Sequence, residues 1–145
     1  MADVPVGVFT SGGLDSALLT SIAADQIGGD RLHTFTVRCP DASYDEGDVA
    51  RRVAARFHTR HVEANANEAA LRSALDAVIG SIAEPITDPA ILPTLILARA
   101  AREQVGVVLS GEGADELFGG YPTYVGHKLV PWFNRLPFPA RRLAI

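Results

Sequence analysis

Several features that define whole classes of protein are scarce in this sequence. Among its 145 residues there is a single cysteine, Cys39, so an internal disulfide cannot form and the count is far below what a zinc cluster needs. No uninterrupted apolar run approaches the roughly 18 residues that span a membrane. A net charge of -4, from 13 lysines and arginines against 17 acidic residues, provides no positive field for nucleic acid or an anionic membrane. These absences predict a cytoplasmic protein whose partners are neither nucleic acid nor membranes.

The remaining composition is typical of a folded globular protein. Hydrophobic residues make up 48% of the chain and charged residues 21%, which is too apolar for an intrinsically disordered protein. A length of 145 residues corresponds to one domain, because domains usually hold about 100 to 200 residues. We therefore expect a single domain over residues 1–145, with an irregular helical tail from about residue 121 to residue 145.

Strand-like and helix-like patterns alternate along most of the chain. Short β-branched runs predict strands, and apolar residues at three- and four-residue spacing predict the helices between them. Pro85, Pro89 and Pro93 predict an irregular loop that crosses to the last strand. The alternation predicts an α/β fold, a doubly wound parallel sheet with helices on both faces. The predicted strands are 4–10, 32–37, 59–63 and 105–109, and the predicted helices are 14–27, 45–57, 68–82 and 94–104.

A glycine-containing turn, residues 11–16 with the sequence SGGLDS, lies where the first predicted strand becomes a helix. Amide groups at a helix start lack partners and favour an anion, and Gly12 and Gly13 allow a phosphate to approach closely. Ser11 and Ser16 add hydroxyl donors. Because a carboxylate repels a phosphate unless a divalent cation lies between them, Asp15 is interpreted as a magnesium ligand. The alternative interpretation is a structural turn with a serine N-cap.

Other catalytic patterns are absent. No Walker A sequence GxxxxGK[ST] occurs, and the only lysine is Lys128. No histidine is placed near Cys39 by the pattern, so this cysteine is not predicted to be a nucleophile. The lysine that the Walker A motif supplies to a phosphate is therefore not predicted in this chain.

A second glycine-rich segment, residues 110–121 with the sequence SGEGADELFGGY, follows the last predicted strand. The ends of parallel strands meet at one edge of a sheet, so this segment is expected beside the first turn. Asp15 and Asp115 are then candidates to share magnesium, and Glu112 and Glu116 are candidates for a base or an orienting group. The alternative is a solvated acidic loop with a helix start at Ala114.

The two segments together resemble the ATP-pyrophosphatase (synthetase) domain of the asparagine synthetase family. Residues 44–46, YDE, and 84–89, EPITDP, also resemble that family at matching intervals. The resemblance implies a PP-loop fold, like that of the adenine nucleotide alpha hydrolases, and an enzyme that uses ATP and Mg2+. It also implies the reaction: the side-chain carboxylate of aspartate is adenylated, and ammonia displaces AMP to give asparagine.

The resemblance also implies roles for individual residues. The residues that match the pyrophosphate loop of the family are Ser11, Gly13, Asp15 and Ser16. Gly12, which lies within the same loop, is a further candidate for binding the nucleotide. Asp15 and Asp115 match the magnesium ligands, and Glu112, the second catalytic candidate beside Asp115, matches an acidic residue near the reacting carboxylate. The positions that match those holding adenosine are Thr10, Val37, Ser110 and Gly111.

Alternatives from other classes stay open at this stage. One is a nucleotide-binding module of the same fold without complete catalysis, and another is a related β-lactam-forming or peptide-cyclising synthetase. In the resembled family a separate glutaminase domain supplies ammonia, and a lysine from a later segment meets the charge at the adenylate. Neither is found in this chain, so we expect an incomplete C-terminus, ATP binding without asparagine synthesis, and apolar surface near Trp132 and Phe133 that pairs two copies.

Overall fold

The structure is a computed structural model that describes residues 3–84 and 86–135, with only the backbone given for Leu129, Trp132 and Phe133. The chain divides into two compact units, Met1–Gly111 and Glu112–Ile145. The apolar surface predicted at Trp132 and Phe133 concerns side chains outside the described ones. Residues 136–145 of the predicted tail and Pro85 of the predicted crossing loop also lie outside the described residues. The single domain over residues 1–145 stays a prediction.

The first unit is built on a four-stranded sheet in the order β3-β2-β1-β4, and each of the three strand pairings is parallel. Val8 of β1 lies opposite Thr34 of β2 and Leu109 of β4. The predicted strands are confirmed, although the third begins and ends later than its weak pattern suggested. The strands are β1 (Val6–Phe9), β2 (His33–Arg38), β3 (Arg60–Asn65) and β4 (Val107–Leu109).

Helices cover both faces of this sheet, as the alternation predicted. α1 (Leu14–Ile27) contacts α2 (Gly47–Arg56), and these helices follow β1 and β2. α3 (Glu68–Ser81) contacts α4 (Ile91–Arg102), and both lie between β3 and β4 in the chain. The arrangement is the doubly wound α/β fold that the sequence predicted.

Alternating side chains of the strands contribute to apolar cores on both faces of the sheet. Val8 is fully buried and packs with Ala23 and Leu32 under α1. Phe35 is fully buried and packs with Ala101 and Val105 under α4. Phe9, the neighbour of Val8 in β1, packs against this second core, so successive residues of one strand serve opposite faces, which is the period-two pattern of a sheet buried on both faces.

The end of α1 and the start of α4 show how local chemistry sets the limits of a helix. Gly28 adopts a φ of 93° after α1 and donates its N–H to Ala24 O at 2.9 Å, which confirms the predicted glycine stop. The irregular loop predicted to run through Pro93 is wrong at its end, because α4 already begins at Ile91. Pro93 sits in the first helical turn, where its missing N–H would have no partner within the helix.

The described part of the second unit is helical. α5 (Ala114–Phe118) lies between two glycines with left-handed backbone, Gly113 at φ 88° and Gly119 at φ 72°. α6 (Pro122–Arg135) follows and contains Pro131. The helix start at Ala114, which belongs to the alternative interpretation of this segment, is present in the structure. Among the described residues, no helix is long and apolar enough to cross a membrane.

Candidate functional site

The strand order creates a crevice at the carboxyl end of the sheet. From β1 the chain proceeds outward through β2 and β3, and then returns through α3 and α4 to place β4 on the other side of β1. The connections after β1 and β4 therefore leave the sheet in different directions. Open α/β sheets bind ligands at such a switch point. Segment 11–16 follows β1 and Ser110 and Gly111 follow β4, so both flank this crevice.

The turn after β1 is organised by its two serine hydroxyls. Ser16 is buried, and its Oγ lies 2.9 Å from Ser11 Oγ and accepts the N–H of Ser11 at 3.1 Å. Ser11 Oγ in turn accepts the N–H of Gly13 at 3.1 Å. These contacts fold the turn tightly against the first turn of α1. In this arrangement the two hydroxyls shape the loop, and the phosphate contacts predicted for them stay predictions.

Thr10 is buried beneath this turn and does not offer its side chain to the crevice. Its hydroxyl lies 3.1 Å from that of Thr20, which donates to Ser16 O at 2.8 Å. Its N–H donates to Phe35 O at 2.8 Å. Both polar groups bind α1 or β2, so the predicted adenosine contact of Thr10 stays a prediction.

The start of α1 is open to solvent. Gly13 at the N-cap has extended backbone, with φ -76° and ψ 156°, and in the described part of the chain no side chain caps it. Leu14 and Asp15 are exposed. The first amides of the 14-residue helix α1 therefore lack intrahelical partners and point toward the crevice with the positive end of the helix dipole. This is the geometry that an anion needs, with Asp15 beside it.

The chain after β4 meets the same helix start. A Cβ added to Gly111 would lie 3.3 Å from the N atom of Ser16 and 3.5 Å from Asp15 Cβ. The first unit thus brings Gly111 next to the turn of residues 11–16, as predicted from the parallel strands. Ser110 immediately before it is exposed. The adenosine roles of Ser110 and Gly111 stay predictions.

Glu46 also reaches the turn, and the sequence reasoning gave it no role. Its Oε2 accepts the N–H of Gly12 at 2.9 Å. A Cβ on Gly12 would lie 3.2 Å from Val49 Cβ and 3.4 Å from Glu46 Cβ, so the backbone of Gly12 lies directly against the start of α2. Glu46 is the last residue of the YDE segment, which carries part of the family resemblance. Sequence spacing alone cannot show that the side chain of Glu46, at the start of α2, reaches the turn between β1 and α1.

An ion-pair network holds the β2–α2 connection in place. Arg38, at the end of β2, donates to Asp45 Oδ2 at 2.6 Å and 3.0 Å and also contacts Asp48 and Glu63, each at 3.3 Å. Arg51 of α2 donates to Glu63 Oε1 at 2.8 Å. Asp45 is only 15% exposed and Arg38 24% exposed, so this pair is better shielded than a surface ion pair.

We expect the Asp45→Asn variant to be less stable than the wild type at neutral pH. The hydrogen bond from Arg38 lowers the pKa of Asp45 below its ordinary value of 3.8, and the Gly47 amide acts in the same direction. A carboxyl with a lowered folded-state pKa stabilises the protein above its unfolded pKa, and this stability is lost as the pH falls through the folded pKa. Urea midpoints should therefore differ most at about pH 7, and the difference should shrink as the pH falls below the ordinary Asp pKa of 3.8 and through the lowered folded-state pKa.

Asp25→Asn, on the exposed surface of α1, is the control for that experiment because Asp25 lies on a helix outside the network. If the difference between the wild type and Asp45→Asn does not shrink at all as the solution is acidified, the assignment is contradicted.

Val37 and Cys39 lie near the carboxyl end of β2. The half-buried side chain of Val37 packs against Ala66, Ala74 and Ile96, so its predicted contact with adenosine stays a prediction. Cys39 lines a polar cavity of about 420 Å³ with Arg38, Asp45 and Glu63 among the other lining residues. Burial raises the pKa of the Cys39 thiol, with the Asp45 and Asp41 carboxylates adding to the effect. The neutral thiol is therefore a poor nucleophile, in agreement with the sequence interpretation.

In the second unit, the acidic side chains of α5 differ in their contacts. Tyr121 donates its hydroxyl to Glu116 Oε1 at 2.7 Å, which lowers the pKa of Glu116 and raises the pKa of Tyr121 to about 12. Glu116 is therefore a weakened base. Asp115 lies against the backbone of Gly120, where it fills the space that a Cβ would need. Glu112 and Asp115 are both exposed, and their predicted roles stay predictions.

Few side chains among the described residues are placed to bind a metal ion. Over residues 3–84 and 86–135 no group of three or more histidine, cysteine, aspartate or glutamate side chains is placed to hold an ion. Asp15 is an exposed carboxylate beside an anion-attracting helix start. Hard oxygen donors of this kind fit Mg2+, whose other ligands are commonly water and phosphate oxygens.

Two solved structures share the fold of this chain. A glutamine-dependent NAD+ synthetase of Acinetobacter baumannii in complex with adenosine diphosphate has a TM-score of 0.56 at 23% identity, over 82% of this chain and 24% of its own. An NH3-dependent NAD synthetase of Campylobacter jejuni has a TM-score of 0.53 at 18% identity, over 80% of this chain and 50% of its own. The protein therefore has the PP-loop, adenine nucleotide alpha hydrolase-like fold that the family resemblance implied.

Sequence comparison defines the class more narrowly. The chain belongs to the asparagine synthase family, whose sequence profile matches residues 1–144. Glutamine-hydrolysing asparagine synthetase 1 of Bacillus subtilis is 35% identical over 144 residues, covering 99% of this chain and 22% of the relative. The corresponding synthetase of Zea mays is 38% identical over 135 residues, covering 83% of this chain and 22% of the relative. The chain thus spans about a fifth of the length of these curated relatives.

Proposed function

We propose that this chain supplies the nucleotide-binding part of an ATP-dependent amidoligase that converts aspartate to asparagine. The observation that carries the proposal is the uncapped start of α1 at the switch point of the sheet, bordered by Gly12, Gly13 and Asp15. Membership of the asparagine synthase family supports the reaction class. Aspartate and ammonia are the proposed substrates, with ammonia delivered by a glutaminase domain and a homodimer as the proposed assembly.

The proposed reaction has two steps. An oxygen of the aspartate side-chain carboxylate attacks the α-phosphorus of ATP, and the bond to the bridging oxygen breaks to release pyrophosphate. Ammonia then attacks the acyl carbon, the bond to AMP oxygen breaks, and the nitrogen loses a proton to give the amide. The first amides of α1 donate hydrogen bonds to the leaving pyrophosphate and stabilise the negative charge that develops on it.

Individual residues have proposed roles in this scheme. Mg2+, when bound, offsets the charge of the phosphate oxygens. Asp15 and Asp115 are the proposed residues that hold it, and Glu112 is the proposed contact to the reacting carboxylate. Ser110 and Gly111 are proposed to contact the adenosine. The buried hydroxyls of Thr10 and Ser16 keep the turn in the shape that these contacts require.

We expect magnesium binding to depend on the nucleotide. Two carboxylates leave most of the coordination positions of the ion to phosphate oxygens and water, so binding without nucleotide should be weak. Calorimetric titration of magnesium into the protein, alone and with saturating ATP or pyrophosphate, measures the difference. Tight binding of one magnesium ion in the absence of nucleotide would contradict this arrangement.

The reaction itself is tested by AMP and pyrophosphate release from ATP in the complete protein. The assay uses aspartate and ammonia, and a panel of other carboxylic acids and amines distinguishes an asparagine synthetase from a β-lactam-forming or peptide-cyclising enzyme. ATP binding without any release, for every substrate pair, would indicate a nucleotide-binding module. Failure of the protein to bind magnesium-ATP would refute the proposed function.

A further inference from the structure

We propose that Glu46 is a positioning residue for the pyrophosphate loop, defined as residues 11–16, and holds this loop in shape for an anion by binding the amide of Gly12. The inference rests on the proposed function, because it assigns a role within the same site. The N–H of Gly12 donates to Glu46 Oε2 at 2.9 Å, across the gap between the β1–α1 and β2–α2 connections. This bond links a residue of the pyrophosphate loop to a different part of the chain.

Glu46 is itself held in position by its neighbours. It is the N-cap residue of α2, and the preceding Asp45 is fixed by two hydrogen bonds from Arg38. Asp45 Oδ1 also accepts the N–H of Gly47 at 3.2 Å, and the Arg38 side chain fills the space where a Cβ of Gly47 would lie. The end of β2, the start of α2 and the pyrophosphate loop are thereby joined through consecutive residues.

A carboxylate at an anion site has two possible effects. It can occupy the amides that the anion needs and so compete with it, or it can fix the loop and leave those amides open. The contacts favour the second effect. Glu46 binds Gly12, and Ser11 Oγ binds the N–H of Gly13, whereas no described side chain caps the start of α1. The amides offered to an anion are therefore different from the one that Glu46 uses.

The test compares Glu46→Ala with Glu46→Gln in the full chain. Glutamine keeps an oxygen acceptor for the Gly12 amide but removes the charge, whereas alanine removes both. We expect Glu46→Ala to bind magnesium-pyrophosphate and magnesium-ATP about tenfold more weakly, because a charge-assisted hydrogen bond is lost. Glu46→Gln should remain within about threefold of the wild type. Asp25→Ala is the control and should bind like the wild type, since it removes an exposed carboxylate that lies outside both the loop and the Arg38 network.

A second measurement is independent of nucleotide binding. Amide hydrogen exchange at Gly12, followed by NMR without ligand, should be faster in Glu46→Ala than in the wild type, and glutamine should restore protection. Unchanged exchange in α1 and β2 shows that the variant is folded. If the wild type binds no nucleotide, the proposed function fails, and exchange at Gly12 alone then decides the role of Glu46.

Two results would overturn the inference. Tighter anion binding by both variants would mean that Glu46 competes with the ligand. Equal loss of binding in both variants would mean that the charge, and not the acceptor for Gly12, is what matters.

Discussion

Replacing Asp15 by alanine is expected to weaken the binding of magnesium-ATP by about a hundredfold or more. The reason is that loss of groups that merely support metal ligands already reduces metal affinity by about 10- to 100-fold, and Asp15 is the proposed direct ligand. The expected effect reverses without metal. The exposed carboxylate lies beside the start of α1, where it repels phosphate, so Asp15→Ala should bind metal-free ATP as well as the wild type or better.

Calorimetric titrations of ATP, with magnesium and with a chelator, measure both parts of this prediction. Asp25→Ala is the matched control, because it removes an exposed carboxylate from the same helix far from the crevice. Equal affinities of Asp15→Ala and the wild type in magnesium would show that the metal is held elsewhere. A fall in affinity under both conditions would instead point to damage of the pyrophosphate loop.

The second large effect is expected at Phe35. Its side chain is fully buried in the sheet beneath α4, and its ring lies against Gly7 of the neighbouring strand. Phe35→Ala removes the aromatic ring from a packed layer and leaves a cavity, which usually costs about 3 to 5 kcal/mol. This is a large share of the roughly 5 to 15 kcal/mol that stabilises a typical domain. Urea denaturation followed by circular dichroism measures the loss.

Phe118→Ala is the control for that measurement. Phe118 is 79% exposed on α5, so its removal should change the free energy of unfolding by less than about 0.5 kcal/mol. If the two variants prove equally stable, the burial assigned to Phe35 is wrong. Phe35→Leu should lie between them, because leucine refills much of the space.

The spacing of apolar residues, together with the glycines between the apolar segments, was sufficient to predict most of the fold. The apolar run before SGGLDS and the glycine pair after Ile27 mark β1 and α1, and the structure confirms both. Helix limits next to proline were less predictable. The low helix propensity of proline predicts that Pro93 lies outside a helix, yet the first turn of a helix tolerates proline. Where that first turn begins depends on packing in the tertiary fold.

The candidate site was predicted in part. The proximity of Gly111 to Asp15 could be predicted because parallel strands end at the same edge of a sheet, and the structure brings these two residues together. The bond from Gly12 to Glu46 could not be predicted in this way. It depends on the direction of a single side chain at the end of a connection whose course is set by Arg38 and Asp45.

The pairing of β4 with β1 also determines when the crevice forms as the chain folds. Val6 pairs with Val107, whereas Gly7 pairs with His33 and His33 with Arg60, so β4 closes by far the longest loop of the sheet. Long loops carry a larger closure entropy, and such contacts generally form late. The three-residue strand β4 is therefore expected to join last, after β1, β2 and β3 have assembled. A nucleotide held between β1 and β4 would then bind only the completed sheet, and by mass action it would stabilise the sheet against detachment of this final strand.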